Sequence, residues 1–405
     1  MKIRNVIFTM LISILVLVTS CKRDDDEQVS VDEVEEILNT PVTNHWSSYF
    51  SFVGTRINSE DDWTDFDGTL VTPNGYNYGH KVYKDFIPSE VEKWEYAKTR
   101  SEADPDYVVV ITTDVWQRIV GRRHDFRTDI MEHPEKLYDL FEDHKQRLLK
   151  LAQIKGTVLM VFNPDAMAHW SGTIIRTNDG DPNSIPAKIK ESNYPDALEL
   201  DPPQTFAGIW QVIDYMRRKY APNVWITYTL KQWGTIGISD TEPPEGWDNN
   251  ADVQTQADYL NNYGVQWDVL SYNFNPTWGN HSDDQYKSIA KYFGAVARKL
   301  HNRDNKPVKT YIWKVSMWPS LWQSNDVSTW RPDHASFIFR NIDYLVNECE
   351  TIGATLGYGN EYHAGIDEFG RICFPPVIYK WMREYYYSEN VNVTPHATLG
   401  KVYIP

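Results

Sequence analysis

The sequence has few cysteines, little basic charge and none of the short motifs that mark several large enzyme classes. Three cysteines in 405 residues are too few for a disulfide scaffold or a cysteine-based metal site, although one bridge between Cys349 and Cys373 stays open. No Gly-x-Ser-x-Gly elbow, Walker-type phosphate loop or His-Glu-x-x-His zinc helix is present. We therefore expect no cofactor, and residues 179–181 are only a weak candidate for a calcium loop.

The charge balance argues against a nucleic-acid partner. Forty Lys and Arg residues stand against 56 Asp and Glu residues, which gives a net charge of −16. Phosphate binding needs a basic surface, and this chain is acidic overall.

The apolar run near the start of the chain is too short to cross a membrane. It extends from Val6 to Val18, whereas a transmembrane helix needs ~20 apolar residues. It follows Lys2 and Arg4 and ends in small residues before Cys21. This order of charged, apolar and small residues is typical of a cleaved secretory signal.

Val18-Thr19-Ser20-Cys21 resembles the lipobox of bacterial lipoproteins, in which the cysteine is lipidated and becomes the mature N-terminus. The following Lys-Arg-Asp-Asp-Asp-Glu resembles the acidic tag of surface lipoproteins of Bacteroidota. The resemblance implies lipidation of Cys21, an outer-membrane location exposed at the cell surface, and membrane contact only through the lipid. An ordinary signal with an incidental cysteine is the alternative. We predict a signal over 1–20, an acidic tether over 21–42 and one domain over 43–405.

The rest of the chain alternates short β-branched runs with longer segments of helical period, which predicts parallel βα units. We predict an α/β fold, a (β/α)8 TIM-type barrel in a single domain with long βα loops. A doubly wound open sheet is the runner-up, but no Gly-rich phosphate turn follows an early strand. The region 171–203 is predicted to be a long loop. Predicted strands are 48–53, 107–112, 157–162, 224–230, 269–274, 310–315 and 354–358, with an eighth within 361–374, 391–393 or 401–404. Predicted helices are 90–98, 135–154, 206–220, 255–263, 284–300, 336–352 and 377–387.

In such a barrel the active site is built from the loops that follow the strands. Six predicted strand ends carry a polar residue beside an aromatic one, which packing alone does not require. The acids at or after these ends are Asp114, Asp165, Glu242 and Glu361. Two carboxyl groups ~5–5.5 Å or ~6.5–9.5 Å apart can hydrolyse a glycosidic bond. We prefer Asp165 as nucleophile or base with a Glu as general acid; for each acid alone, a cap or surface ion pair is the alternative. Asp268 begins its strand and should lie at the opposite face.

Aromatic and arginine residues suggest what this face binds. The chain has 16 Trp and 25 Tyr, whose flat rings suit sugar faces, although barrel packing accounts for many. Four arginines and a histidine lie within residues 118–127. Guanidinium groups bind sulfate or carboxylate through paired donors, unless neighbouring acids neutralise them. The predicted binding residues are Trp116, Arg118, Arg122, His124, His169, Trp170, Tyr228, Trp233, Asn273, Lys314, Trp318 and Tyr358.

The barrel-like order, the lipoprotein start and the aromatic rim resemble glycoside hydrolases encoded with the polysaccharide-uptake systems of Bacteroidota. The resemblance covers most of the chain in organisation, but no catalytic signature matches residue by residue. The Asp-Gly-x-Asp-x-Asp-x-Glu pattern of chitinase-like barrels is absent, and Gln232 stands where many retaining barrels have an Asn-Glu pair. Glu361, after the seventh predicted strand, fits the position of the nucleophile in those retaining barrels.

Among less familiar families, endo-acting fucanases cut sulfated fucans with an Asp and a Glu in a barrel, which fits the arginine cluster. The resemblance implies a monomeric, surface-anchored endo-glycosidase with a polysaccharide substrate. The alternative is a surface glycan-binding lipoprotein without catalytic activity, which would keep the aromatic and arginine residues but lack converging acids.

Overall fold

Eight parallel strands form a closed ring in the computed structural model. Each strand pairs with the next one in sequence, and the last pairs with the first. The predicted α/β class is therefore confirmed. The structure describes residues 46, 50–54, 68–71, 88–104, 107–113, 131–162, 180–230, 250–272, 283–315, 337–338, 341–356, 365–366 and 372–373. The strands of the ring are β1 Ser51–Gly54, β2 Gly68–Val71, β3 Val108–Thr113, β4 Val158–Phe162, β5 Val224–Leu230, β6 Val269–Tyr272, β7 Lys309–Val315 and β8 Thr351–Leu356.

The eighth strand is not where the sequence predicted it. Seven predicted strands are confirmed, but the remaining one is β2, which pairs with β1 and β3 near the start of the chain. Within the expected region 361–374 the structure shows a separate antiparallel pair outside the ring, formed by β9 Gly365–Ile366 and β10 Ile372–Cys373. The other two candidates, 391–393 and 401–404, lie outside the described residues.

Helices connect the strands from β2 to β8 and cover the outside of the ring. The connections after β1 and β8 lie outside the described residues, as does the predicted helix 377–387, so the complete (β/α)8 pattern stays a prediction. No described helix is both long and apolar enough to cross a membrane. The helices are α1 Pro88–Ala103, α2 Pro134–Leu151, α3 Pro195–Leu200, α4 Phe206–Tyr220, α5 Asn250–Asn261, α6 Asp283–Ala297 and α7 Ile342–Cys349.

Local sequence explains where these helices begin and which face they bury. Pro134 occupies the first turn of α2, where its missing N–H is harmless. Thr205 caps α4 by accepting a hydrogen bond from the Gly208 N–H, and α4 ends after three basic residues, which suit the negative end of the helix dipole. The buried stripe of α2 repeats at helical spacing and includes Leu137, Leu140, Phe141, Leu148 and Leu151.

Successive side chains of a strand point alternately into the ring and towards the helices, so the protein has an inner and an outer core. In β4, Leu159 and Val161 pack with side chains from the other strands inside the ring, whereas Val158, Met160 and Phe162 pack against the helices. The outer core is rich in edge-to-face aromatic contacts, such as Trp210 of α4 with Phe162 at 4.8 Å between ring centroids.

Trp46 seals the amino-terminal end of the ring. Its indole Nε1 donates to the carbonyl oxygen of Ile352, near the start of β8, at 3.1 Å. Its ring lies 5.8 Å from the rings of Trp225 and Tyr311, which lie near the starts of β5 and β7. Buried aromatic side chains therefore fill this end of the ring.

We expect Trp46→Phe to lower the free energy of unfolding by about 1–2 kcal/mol. The variant keeps an aromatic ring but loses the indole donor to Ile352 and part of the packing against Trp225. Urea denaturation monitored by circular dichroism measures the change. An unchanged unfolding midpoint would show that Trp46 does not hold the ring closed.

A buried charged network joins the amino-terminal ends of β5, β6 and β7. Asp268, just before β6, accepts from Arg303 Nε at 2.6 Å, from Arg303 Nη2 at 2.7 Å and from the Ile226 N–H at 2.9 Å. Arg217 of α4 lies 3.4 Å from the same carboxylate and also pairs with Asp214. Burial lowers the pKa of Arg217, while Asp268 and Asp214 oppose that shift. The prediction that Asp268 begins its strand, at the end of the ring opposite the strand ends, is confirmed.

His144 couples stability to pH. It is buried in α2 beside Phe162, and burial, followed by the charge of Arg147, lowers its pKa from 6.5 to about 3. The folded protein therefore keeps this ring neutral while the unfolded chain protonates it below its ordinary pKa. Stability from this group is present above pH 6.5 and is lost as the pH falls towards 3.

We expect the free energy of unfolding to fall by about 2 kcal/mol through His144 between pH 7.5 and pH 5. In His144→Leu, which cannot be protonated, this part of the pH dependence should disappear. Urea unfolding of both proteins at the two pH values measures the difference. If the free energy of unfolding changes with pH by the same amount in both proteins, His144 is not the group responsible.

Candidate functional site

The carboxyl ends of the strands lie at one edge of the ring, which we call the carboxyl rim. The described strand ends fall within two residues of the predicted ones, so Asp114 is the first residue after β3 and Asp165 the third after β4. Because the strands are parallel, the polar and aromatic segments that follow them all begin at this rim.

The four candidate acids themselves lie outside the described residues, so their separation stays a prediction. The same is true of most predicted binding residues. The backbone of Lys314 lies in β7, near the rim. The predicted residues outside the described part are Asp114, Asp165, Glu242, Glu361, Trp116, Arg118, Arg122, His124, His169, Trp170, Trp233, Asn273, Trp318, Tyr358 and Cys21.

The inside of the ring becomes polar towards the carboxyl rim. Thr229 Oγ1 and Ser271 Oγ, both near the ends of their strands, lie 2.6 Å apart. On the other side, the Tyr311 hydroxyl reaches up to Thr355 Oγ1 at 2.7 Å. These side chains are fully buried, and together they form a hydroxyl layer above the apolar plug of Trp46. Hydroxyl groups can donate and accept, so this layer can orient polar groups that lie above it.

The structure contradicts the prediction of Tyr228 as a binding residue. The side chain is 1% exposed and lies in the outer core, between β5 and α5. Its hydroxyl is 3.0 Å from that of Tyr259, which is 2.5 Å from that of Tyr263. Its ring packs edge-on against Trp267 at 5.2 Å. Tyr228 therefore holds a helix to the ring and has no surface for a sugar.

The described part of the predicted loop 171–203 is structured. Two short 3-10 turns, 182–184 and 190–192, precede α3, and the segment packs against α2 and α4 rather than standing free. Asp181, from the weak calcium candidate, accepts a hydrogen bond from the Asn183 N–H and caps the first turn. Among the described residues no cluster of His, Cys, Asp or Glu could hold a metal.

Sequence reasoning missed Trp46 and the hydroxyl layer. Trp46 lies two residues before the predicted strand 48–53 and outside any predicted element, so only its contacts reveal its role. Thr229 and Ser271 could have been predicted from the alternation of side chains along a strand. Thr227 and Val269 point into the ring, so the residues two positions later, Thr229 and Ser271, do so as well.

Three solved structures to which this chain is similar share little sequence with it. GH26C from Muricauda sp. MAR_2010_75 is 8% identical over 80% of this chain and 80% of its own, with a TM-score of 0.42. A modular endo-β-1,4-mannanase from Cellulomonas fimi is 10% identical over 94% and 80%, with a TM-score of 0.44. A GH26 β-mannanase from Bacteroides ovatus is 13% identical over 80% and 83%, with a TM-score of 0.38. No protein-family model and no curated protein sequence matches the chain.

Proposed function

We propose that the protein is an endo-glycoside hydrolase that cleaves an anionic polysaccharide with two carboxyl groups at the carboxyl rim. One observation carries the proposal: a closed parallel ring, sealed at its amino end, brings the starts of six polar and aromatic segments to one edge. An isolated strand end of this kind would mean little. Six around one ring provide both acids and sugar-binding rings in a single place.

Asp165 is proposed as the nucleophile or base, and Glu361 or Glu242 as the general acid, with Asp114 as a further candidate. The acid protonates the glycosidic oxygen as the bond breaks. The carboxylate either attacks the anomeric carbon or removes a proton from the attacking water, depending on the separation of the pair. The hydroxyl layer of Thr229 and Ser271 lies near the carboxyl rim, where these acids are proposed to act.

The anionic substrate follows from the segment after β3. Arg118, Arg122 and His124 stand in a chain whose net charge is −16, so a local excess of cations beside a candidate catalytic acid needs a reason. Paired guanidinium donors match the oxygens of sulfate groups. A sulfated, fucan-like polymer is therefore the proposed substrate.

Lipidation of Cys21 and display on the outer membrane complete the proposal, since an anchored enzyme can shorten polymers too large to enter the cell. Metabolic labelling with a fatty-acid analogue should label the protein, and Cys21→Ser should lose the label. Labelling that persists in Cys21→Ser would contradict the anchor while leaving the proposed activity untouched.

The substrate is tested by incubating the protein with neutral, uronic and sulfated polysaccharides and measuring new reducing ends. We expect products from a sulfated polymer and none from neutral glucan or mannan. Products from a neutral polymer alone would contradict the anionic substrate. The competing function, glycan binding without cleavage, predicts retention on a sulfated polysaccharide gel with no reducing ends from any polymer.

A further inference from the structure

The segment from the end of α6 to the first residue of β7 is rich in basic residues, in a chain that is acidic overall. Residues 298–309, which we call the basic loop, contain five Lys and Arg residues and one acid. The loop is a compact hairpin: the Val308 N–H donates to the Leu300 carbonyl at 3.2 Å, and the Lys306 N–H donates to Asn302 Oδ1 at 3.0 Å. Its charges are therefore presented on a defined surface.

Three cations of the basic loop are already engaged. Arg303 binds the buried carboxylate of Asp268, while Arg298 and Lys309 lie near Glu350 at 3.8 and 2.7 Å. The other two cations of the basic loop are not engaged in this way. Lys299 and Lys306 are exposed and form no ion pair with any described residue. The amino end of the ring thus presents two exposed lysines held on one hairpin.

The acidic part of the tether is close enough in sequence to reach this surface. Residues 24–36 contain eight acids and no basic residue. The first described residue, Trp46, lies at the same end of the ring as the basic loop, because its ring packs against Tyr311, two residues after Lys309. Glu36 is ten residues before Trp46 and can lie up to ~35 Å from it. A segment held so close has a high local concentration, so several weak charge pairs can act together.

We propose that the acidic segment 32–36 of the tether docks on Lys299 and Lys306 of the basic loop. Charge complementarity, the position of Trp46 and the length of the intervening chain all favour this occupant over an anionic membrane, which the same acids would repel. The docked tether holds the amino end of the ring towards the anchor and turns the carboxyl rim away from it. It also covers cations that would otherwise bind an anionic polysaccharide at the wrong end. The docking itself does not depend on the proposed catalytic activity.

The test measures distances by pulsed electron paramagnetic resonance on the mature chain. Spin labels are placed at Ser30→Cys in the tether and Asn305→Cys in the basic loop, with Cys21 and Cys373 changed to serine; Cys349 is buried and stays. We expect one narrow distance population that broadens in 1 M salt. Lys299→Glu with Lys306→Glu should broaden it at low salt. The control, Lys188→Glu with Lys190→Glu at two exposed lysines of the 180–203 segment, should leave it narrow.

A charge swap gives the sharpest check. Adding Asp32→Lys and Glu33→Lys to the Lys299→Glu, Lys306→Glu protein should restore the narrow population. The proposal is overturned if the wild type shows the broad distribution, or if reversing both lysines changes nothing. It is equally overturned if phosphatidylglycerol vesicles bind the chain through Lys299 and Lys306 while the tether distance stays broad.

Discussion

Replacing Asp268 with alanine is expected to lower the free energy of unfolding by about 3–5 kcal/mol. The carboxylate is 2% exposed, binds Arg303 through both oxygens and lies 3.4 Å from Arg217, whose side chain is fully buried. Alanine would leave two cations without this partner, and it would also remove the acceptor of the Ile226 N–H. Each of these losses acts at the starts of neighbouring strands.

Urea unfolding, with the dependence of the free energy on urea concentration fitted for each protein, measures this change. Two further variants serve as comparisons. Asp304→Ala removes an exposed acid from the basic loop and should change stability by less than about 0.5 kcal/mol. Asp268→Asn preserves shape and should fall between alanine and wild type, which keeps the prediction testable if the alanine protein does not fold. A loss below about 1 kcal/mol in Asp268→Ala would mean that the network is not a structural centre.

Asp165→Asn is expected to lower kcat on the cleaved polysaccharide by roughly 10²–10⁴-fold. The amide keeps the size of the side chain but can neither attack the anomeric carbon nor accept a proton from water. Substrate binding should persist, because the proposed aromatic and arginine contacts are unchanged. The readout is the initial rate of reducing-end formation at saturating substrate.

Asp304→Asn is the matched control for this substitution. It makes the same chemical change on an exposed acid at the opposite end of the ring, and it should leave the rate unchanged. Circular dichroism and the unfolding midpoint show whether each variant folds. Full turnover in a folded Asp165→Asn protein would refute the assignment and move attention to Glu361 and Glu242.

Strand positions were predictable wherever a β-branched run stood between helical segments. The predicted range 224–230 matches β5 at both ends, and α4 is also as predicted. β2 was missed because Gly68-Thr69-Leu70-Val71 has only two strongly apolar residues; its strand state depends on hydrogen bonds from β1 and β3, which a local pattern does not show. Pro195–Leu200 was assigned to a loop because six residues are too few for a helical period to emerge.

The candidate site was likewise predictable only in part. The positions of the strand ends followed from the sequence, and so did the placement of Asp268 at the opposite face. Tyr228 was misassigned because residue type outweighed alternation: Val224, Ile226 and Leu230 share its side of β5 and are all apolar. Contacts between distant segments, such as those of Trp46, could not be read from the sequence because no local pattern encodes them.

The hydrogen bond from Trp46 to Ile352 joins residues 306 positions apart, and β1 pairs directly with β8. The ring can therefore close only after nearly the whole chain has left the ribosome. Until then β1 exposes an unpaired edge, and closing so long a loop is entropically costly and slow. For a chain that we propose to be exported, this late closure means that a translocation channel engaging the chain before β8 is synthesised meets one that has not closed its ring.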